Sequence, residues 1–218
     1  PEELREKVVT IPNGVVIPER SEVGERENVI VGVGRLERQK RFDRLIEAVA
    51  LIQHDLRPNG FSVEIYGDGS LKQQLSDQAI ALGVSDLVKF KGVSSDMECV
   101  YQKSRLLVVP SEFEGFGIVV VEAMSHGVPA LAFEDCNGPN ELIEPGKSGE
   151  LAGSVSELAE RIRLICLSEM RYEVDDVLES SRKYDLRHFF SAWIRLLLMR
   201  NFVSEHRSTQ FPKDYLRI

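Results

Sequence analysis

The sequence offers little that would tie it to a membrane, a metal or an oxidising compartment. Its three cysteines, Cys99, Cys136 and Cys166, are odd in number and widely spaced, and none has a second cysteine two or three residues away. Neither a disulfide framework nor a zinc knuckle fits that pattern, and a reducing, cytoplasmic setting is expected. The longest apolar stretch, Phe189 to Met199, is broken by Ser191 and Arg195 and is too short to span a bilayer. No N-terminal run has the form of a signal peptide, so a soluble domain is expected. Positive charge is also scarce. The 27 Lys and Arg against 35 Asp and Glu give a formal net charge of −8, which disfavours broad attraction to nucleic acid or anionic lipid but permits a local basic patch around a phosphate. His54, His126, His188 and His206 show no metal-ligand spacing, and no Asp-x-Asp pair exists to hold a divalent cation on a diphosphate.

What is present is an alternation. Short β-branched runs at Val29 to Val33, Phe61 to Tyr66, Leu87 to Phe90, Arg105 to Val109 and Pro129 to Phe133 alternate with segments of helical period. That pattern predicts an α/β domain, a parallel sheet covered by helices on both faces. Phe42, Leu45, Ile46, Val49 and Ile52 recur with the spacing of one buried helix face, and further helices are predicted over Leu71 to Leu82 and Gly117 to Ser125. Glycines punctuate the turns, at Asn13-Gly14, Gly67-Asp68-Gly69, Gly83, Gly92 and Gly127-Val128-Pro129. Beyond Gly153 the chain reads as helices only, with an apolar stripe of Phe189, Trp193, Leu196 and Leu197. One domain over residues 1–203 followed by a loose tail at 204–218 is the expected organisation.

Two familiar nucleotide motifs fail. Gly32-Val33-Gly34-Arg35-Leu36-Glu37 follows a strand, but glutamate stands where a dinucleotide fingerprint needs its third glycine. Gly146-Lys147-Ser148 resembles the end of a P-loop, yet Glu141 occupies the position of its first glycine. The strongest signal is the run from Ser111 to Met124, directly after a strand. There Gly115 and Gly117 sit at a strand-to-helix turn, where uncovered N–H groups and the helix dipole favour an anion. Glu114 before the turn and Glu122 inside the helix can accept hydrogen bonds from two polyols, a sugar ring and a ribose. For either glutamate alone a plain helix-surface role is commoner; the pair flanking the glycines favours a site. A second cluster, Gly34 to Lys40, offers Arg35 as a planar donor and Lys40 as a point charge, enough to neutralise a diphosphate without a metal. Arg38 and Arg41 beside them read as solvated.

These residues resemble the C-terminal domain of the retaining GT-B glycosyltransferases of group 1, a family that includes sucrose synthase and many enzymes of bacterial envelope polysaccharide assembly. The likeness runs from Val9-Thr10-Ile11-Pro12-Asn13-Gly14, which looks like a strand entering the second domain, to Tyr184-Asp185-Leu186, which looks like the start of the closing helices. It implies a Rossmann-like half of a GT-B fold. It further implies that Arg35 and Lys40 contact the donor diphosphate, and that Glu114 with the Phe116 and Gly117 amides contacts the transferred sugar. Glu122 would hold the ribose hydroxyls, the Ile118 and Val119 amides the phosphates, and Gly67 and Val93 would border the base. Gly138-Pro139-Asn140-Glu141 resembles a segment common in members using UDP-linked donors. The implied activity is transfer of a hexosyl group from a nucleotide sugar, without a metal cofactor, to a glycan or lipid-linked acceptor held by an N-terminal domain. These 218 residues are expected to hold the donor half without that domain, so this chain alone is expected to bind donor and transfer nothing. Peripheral contact of the full-length enzyme with the inner face of the membrane is left open. Two alternatives stand: a binding module that holds a nucleotide sugar without catalysis, and half of a sugar-nucleotide epimerase of GT-B architecture.

Overall fold

The computed structural model describes residues 9–18 and 25–205, with the backbone alone for 199–205. Its strands are β1 (Val29–Val33), β2 (Ser62–Tyr66), β3 (Val88–Gly92), β4 (Leu106–Val109), β5 (Ala130–Phe133) and β6 (Gly149–Ala152). Its α-helices are α1 (Phe42–Leu51), α2 (Gln53–Leu56), α3 (Lys72–Ala81), α4 (Met97–Lys103), α5 (Ile118–Ser125), α6 (Pro139–Leu142), α7 (Val155–Cys166), α8 (Val174–Arg182) and α9 (Leu186–Glu205). The six strands form one sheet in the order β3-β2-β1-β4-β5-β6, and every neighbouring pair is parallel.

Side chains that alternate along each strand divide between two cores. Ile30, Val63, Ile65, Leu106, Val108, Leu131 and Phe133 pack on one face under the buried sides of α1, α3 and α7. Val31, Leu107, Val109, Ala130 and Ala132 pack on the other, under α5 and α8. The residues of α5, Ile-Val-Val-Val-Glu-Ala-Met-Ser, include a β-branched run with modest helix propensity. Burial of Val120, Val121, Ala123 and Met124 against β4 and β5 therefore stabilises the helix more than its intrinsic preference does. The chain builds β1, β2 and β3 outward in one direction, then crosses back to place β4 on the other side of β1. The loops leaving β1 and β4 consequently flank the crevice at the carboxyl ends of the strands, where open sheets of this kind place their ligands.

The five expected strands are present to within a residue or two at each end, and the elements described after Gly153 are all helices. Two expectations need correction. The sheet has a sixth strand, β6; its four residues, Gly-Glu-Leu-Ala, are too few and too mixed to show a period, and they pair with β5 only after the Gly146 turn. The segment from Val9 to Gly14 is not a strand. Val15, the residue that follows it, bonds away from the sheet at the α8–α9 junction, its N–H donating to the Tyr184 carbonyl (2.8 Å) and its carbonyl accepting from Leu186 N–H (2.9 Å). On α9 the residues Trp193 and Leu197 of the apolar stripe are exposed, together with Phe190, Ile194 and Leu198. The tail expected from residue 204 lies, beyond Glu205, outside the described residues.

Candidate functional site

The loop after β1 is locked to its neighbours before any ligand is considered. Gly34 N–H donates to the Tyr66 carbonyl, Leu36 N–H to Asp68, Leu71 N–H to Leu36 and Gly67 N–H to Gly92, all at 2.8–2.9 Å. Glu37, the residue that spoils the dinucleotide fingerprint, accepts from both the amide (2.9 Å) and the hydroxyl (2.8 Å) of Ser70, and these two donors hold its carboxyl below the usual range. Gly67 has φ +138°, and a Cβ built on it would lie 1.9 Å from the Gly34 carbonyl oxygen, so the two loops touch backbone to backbone. Between these fastenings Arg35 is exposed; its carbonyl accepts from Glu37 N–H (2.8 Å), while its guanidinium makes no hydrogen bond among the described residues. Its guanidinium is available to the crevice.

The loop after β4 is fastened to the one after β1. Glu112 N–H donates to the Gln39 carbonyl (2.9 Å), and the Gln39 side-chain amide donates to the Phe113 carbonyl (2.7 Å). Lys40 lays its stem over Gly34 and puts its ammonium 2.6 Å from Glu114 Oε1, which also accepts from the Ser111 hydroxyl at 2.7 Å. The side chains of this ion pair are only 16% and 11% exposed, so it is a shielded pair, unlike the solvated ones on the helices. Two residues predicted for different parts of one ligand are thus bonded to each other. Behind them, Glu114 N–H donates to the Asn137 carbonyl (3.3 Å). A Cβ on Gly138, whose φ is +87°, would meet the Phe116 carbonyl at 2.7 Å, and one on Gly117 would meet Pro139 at 3.1 Å. The Gly138-Pro139 segment therefore buttresses the β4 turn.

That turn does what its glycines suggest. Gly117 is the N-cap of α5 in the left-handed region (φ +92°). The amides of Phe116, Gly117, Ile118 and Val119 donate to no protein group among the described residues, and the first amide of the helix to be engaged is Val120, which bonds Gly117. Four adjacent uncovered donors at a helix N-terminus form an anion-binding concavity. One turn on, Glu122 is half-buried and its Oε2 accepts from the Tyr101 hydroxyl at 2.9 Å. Burial and the adjacent carboxylate raise the Tyr101 phenol far above its ordinary range, so it acts as a donor. Ile118, Glu122, Met97, Tyr101 and Val16 line an open cleft of about 470 Å³ beside the turn.

The structure brings Arg35, Lys40, Glu114, the four amides and Glu122 to the same end of the sheet. Gly67 and Val93 are not part of the cleft beside Glu122: Gly67 is held under Gly34, and Val93 is 81% exposed beyond β3. Sequence reasoning missed Tyr101, Gln39 and the service Ser111 gives to Glu114. The last is a hydroxyl three residues from its carboxylate and was findable, whereas Tyr101 lies 21 residues from Glu122 and has no local signature. Cys136 lies behind the site, its thiol pushed up to about 11 by burial and then by the Glu114 and Asp135 carboxylates, and it is inert as a nucleophile. Among the described residues no group of three or more His, Cys, Asp or Glu is placed to hold a metal ion, and no helix is long and apolar enough to cross a membrane.

Residues 16–181 match the family model of glycosyl transferases group 1. A lipopolysaccharide 1,6-galactosyltransferase of Salmonella typhimurium is 31% identical over 193 residues, covering 84% of this chain and 50% of its own length. The GalNAc-alpha-(1->4)-GalNAc-alpha-(1->3)-diNAcBac-PP-undecaprenol alpha-1,4-N-acetyl-D-galactosaminyltransferase of Campylobacter jejuni is 28% identical over 177 residues, 79% of this chain and 48% of the relative. The chain thus spans about half the length of these curated relatives. The crystal structure of Anabaena Alr3699/HepE in complex with UDP superposes with a TM-score of 0.69 at 26% identity, covering 80% of this chain and 49% of that one. Family match, parallel-sheet topology and structural likeness agree: the chain belongs to the group 1 glycosyltransferases, as the C-terminal, Rossmann-like domain of a GT-B fold.

Proposed function

We propose that this chain supplies the donor site of a retaining hexosyltransferase that uses a UDP-sugar. The observation that carries the proposal is the row of four uncovered amides at the start of α5, set between the Lys40–Glu114 pair and Glu122. The Ile118 and Val119 amides, Arg35 and Lys40 receive the diphosphate. Glu114 and the Phe116 and Gly117 amides receive hydroxyls of the sugar, and Glu122 receives the ribose. When the acceptor hydroxyl bonds to the anomeric carbon and the bond to the diphosphate breaks, negative charge grows on the leaving oxygens. Fixed donors and cations aimed at those oxygens stabilise that charge more than they stabilise the bound ground state. The UDP complex of the Anabaena protein supports uracil as the base. The names of the Salmonella and Campylobacter relatives support a glycan or lipid-linked acceptor, which the other half of the fold would present from the cytoplasmic side of a membrane.

Because the protein itself supplies the positive charge, UDP is expected to bind the 218-residue chain in excess EDTA as well as it does with magnesium. Isothermal titration under both conditions tests the reading, and binding that returns only with the metal sinks it.

The Lys40–Glu114 contact sharpens a second expectation. Glu114→Ala removes the sugar's acceptor but also frees Lys40 from a carboxylate that competes with phosphate for it. UDP affinity should then hold or rise, while the extra affinity of an intact UDP-sugar over UDP disappears. If UDP and UDP-sugar lose affinity equally, Glu114 does not hold the sugar.

A further inference from the structure

A glutamate on a helix surface has three side-chain torsions and several positions for its carboxylate, and among the described residues the Glu122 carboxylate is held by one partner outside its own helix. That partner is Tyr101, reaching from α4 to α5 with its hydroxyl 2.9 Å from Glu122 Oε2. Tyr101 is itself held rigidly. It is 1% exposed, lies in the core beneath α5, and its ring sits 5.7 Å from that of His126. The His126 ring is anchored in turn by its Nδ1 contact with the Glu122 carbonyl at 2.8 Å. The chain of contacts begins and ends on Glu122. One end fixes its backbone carbonyl and the other its carboxylate.

The consequence is directional. With one position on Oε2 taken by the phenol, the free edge of the carboxylate, Oε1 and the remaining lone pair of Oε2, is left for groups entering the cleft lined by Met97, Ile118 and Val16. Two acceptors side by side match two donors side by side, and the 2′ and 3′ hydroxyls of a ribose are such a pair. Resting on the assignment of Glu122 to the ribose, we infer that Tyr101 is a positioning residue that holds the Glu122 carboxylate edge-on to a vicinal diol and so makes the site selective for ribonucleotides over 2′-deoxyribonucleotides. Tyr101 touches no substrate in this arrangement. It acts through Glu122.

The test compares UDP with 2′-deoxy-UDP on the 218-residue chain and on Tyr101→Phe. The variant keeps the buried ring and loses only the hydroxyl, whose acceptor is half-exposed and can turn to water. Wild type is expected to prefer UDP by about tenfold or more, the worth of a hydrogen bond to a charged group. Tyr101→Phe is expected to bring the preference to about threefold or less, chiefly by weakening UDP, as the carboxylate is released to sample other orientations. Ligand-induced shifts in melting temperature at low starting temperature give the same ratio should the variant be too unstable for titration. If Tyr101→Phe keeps the full wild-type preference, whatever its absolute affinity, Tyr101 is a packing residue and the inference is overturned. If wild type itself makes no distinction between the two nucleotides, the fault lies one step earlier, in the assignment of Glu122 to the ribose, and the role of Tyr101 falls with it.

Discussion

Replacing Gly67 with alanine is expected to destabilise the domain by roughly 3–5 kcal/mol, combining a left-handed backbone that L-residues avoid with an overpacked contact. The contact is the larger part: the new Cβ would lie 1.9 Å from the Gly34 carbonyl oxygen, which is backbone and cannot rotate away. Relief requires the β1 and β2 loops to separate, breaking the Gly34–Tyr66 and Leu36–Asp68 hydrogen bonds. Gly83 provides the control. Its φ of +70° is equally left-handed, but nothing lies within 4 Å of a Cβ there, so Gly83→Ala should cost only about 1 kcal/mol of backbone strain. Urea unfolding of the two variants separates the effects, and equal losses would show that the loop contact contributes nothing.

Glu122→Ala is expected to weaken UDP and UDP-sugar alike, by about 1.5–3 kcal/mol, or tenfold to a hundredfold, because the ribose is common to both ligands. The substitution also strips the buried Tyr101 hydroxyl of its acceptor, an orphaned donor that should lower stability by about 1–3 kcal/mol. A fall in stability alone would therefore prove nothing about binding. Glu122→Gln resolves this, since its amide oxygen can still accept from the phenol while the negative charge is gone. Stability should return close to wild type and UDP affinity should remain reduced. Calorimetric titration of both variants decides the matter, and unchanged UDP affinity in Glu122→Ala would remove Glu122 from the site.

The parts of this molecule that sequence reasoning reached are those whose cause is local. Phe42, Leu45, Ile46 and Val49 show their helix face by spacing, and they are buried on α1. Gly117 announced a turn that its φ bears out, and the amides it uncovers lie where a glycine-bearing strand-to-helix turn puts them. What escaped depends on partners distant in the chain. β6 exists because β5 offers it an edge, and the chain that follows Val9 to Gly14 stays off the sheet where Val15 bonds residues 184 and 186 instead. Lys40 and Glu114 were each singled out for ligand contact, but only the topology, by setting β4 beside β1, shows that they bind each other.

The placement of the site across the point where the strand order reverses also bears on how the protein comes to be folded. Lys40 and Glu114 are 74 residues apart, and they meet only after the chain has completed β1 to β3 and returned to insert β4 on the far side of β1. Parallel pairings of such sequence separation form late, because the loop between them must close before any contact rewards it. A nascent or refolding chain can therefore acquire the β1–β2–β3 layer and α1 to α3 while still lacking the crevice between the β1 and β4 loops. Under the proposed function, nucleotide binding during refolding would report the docking of the second half of the sheet onto the first.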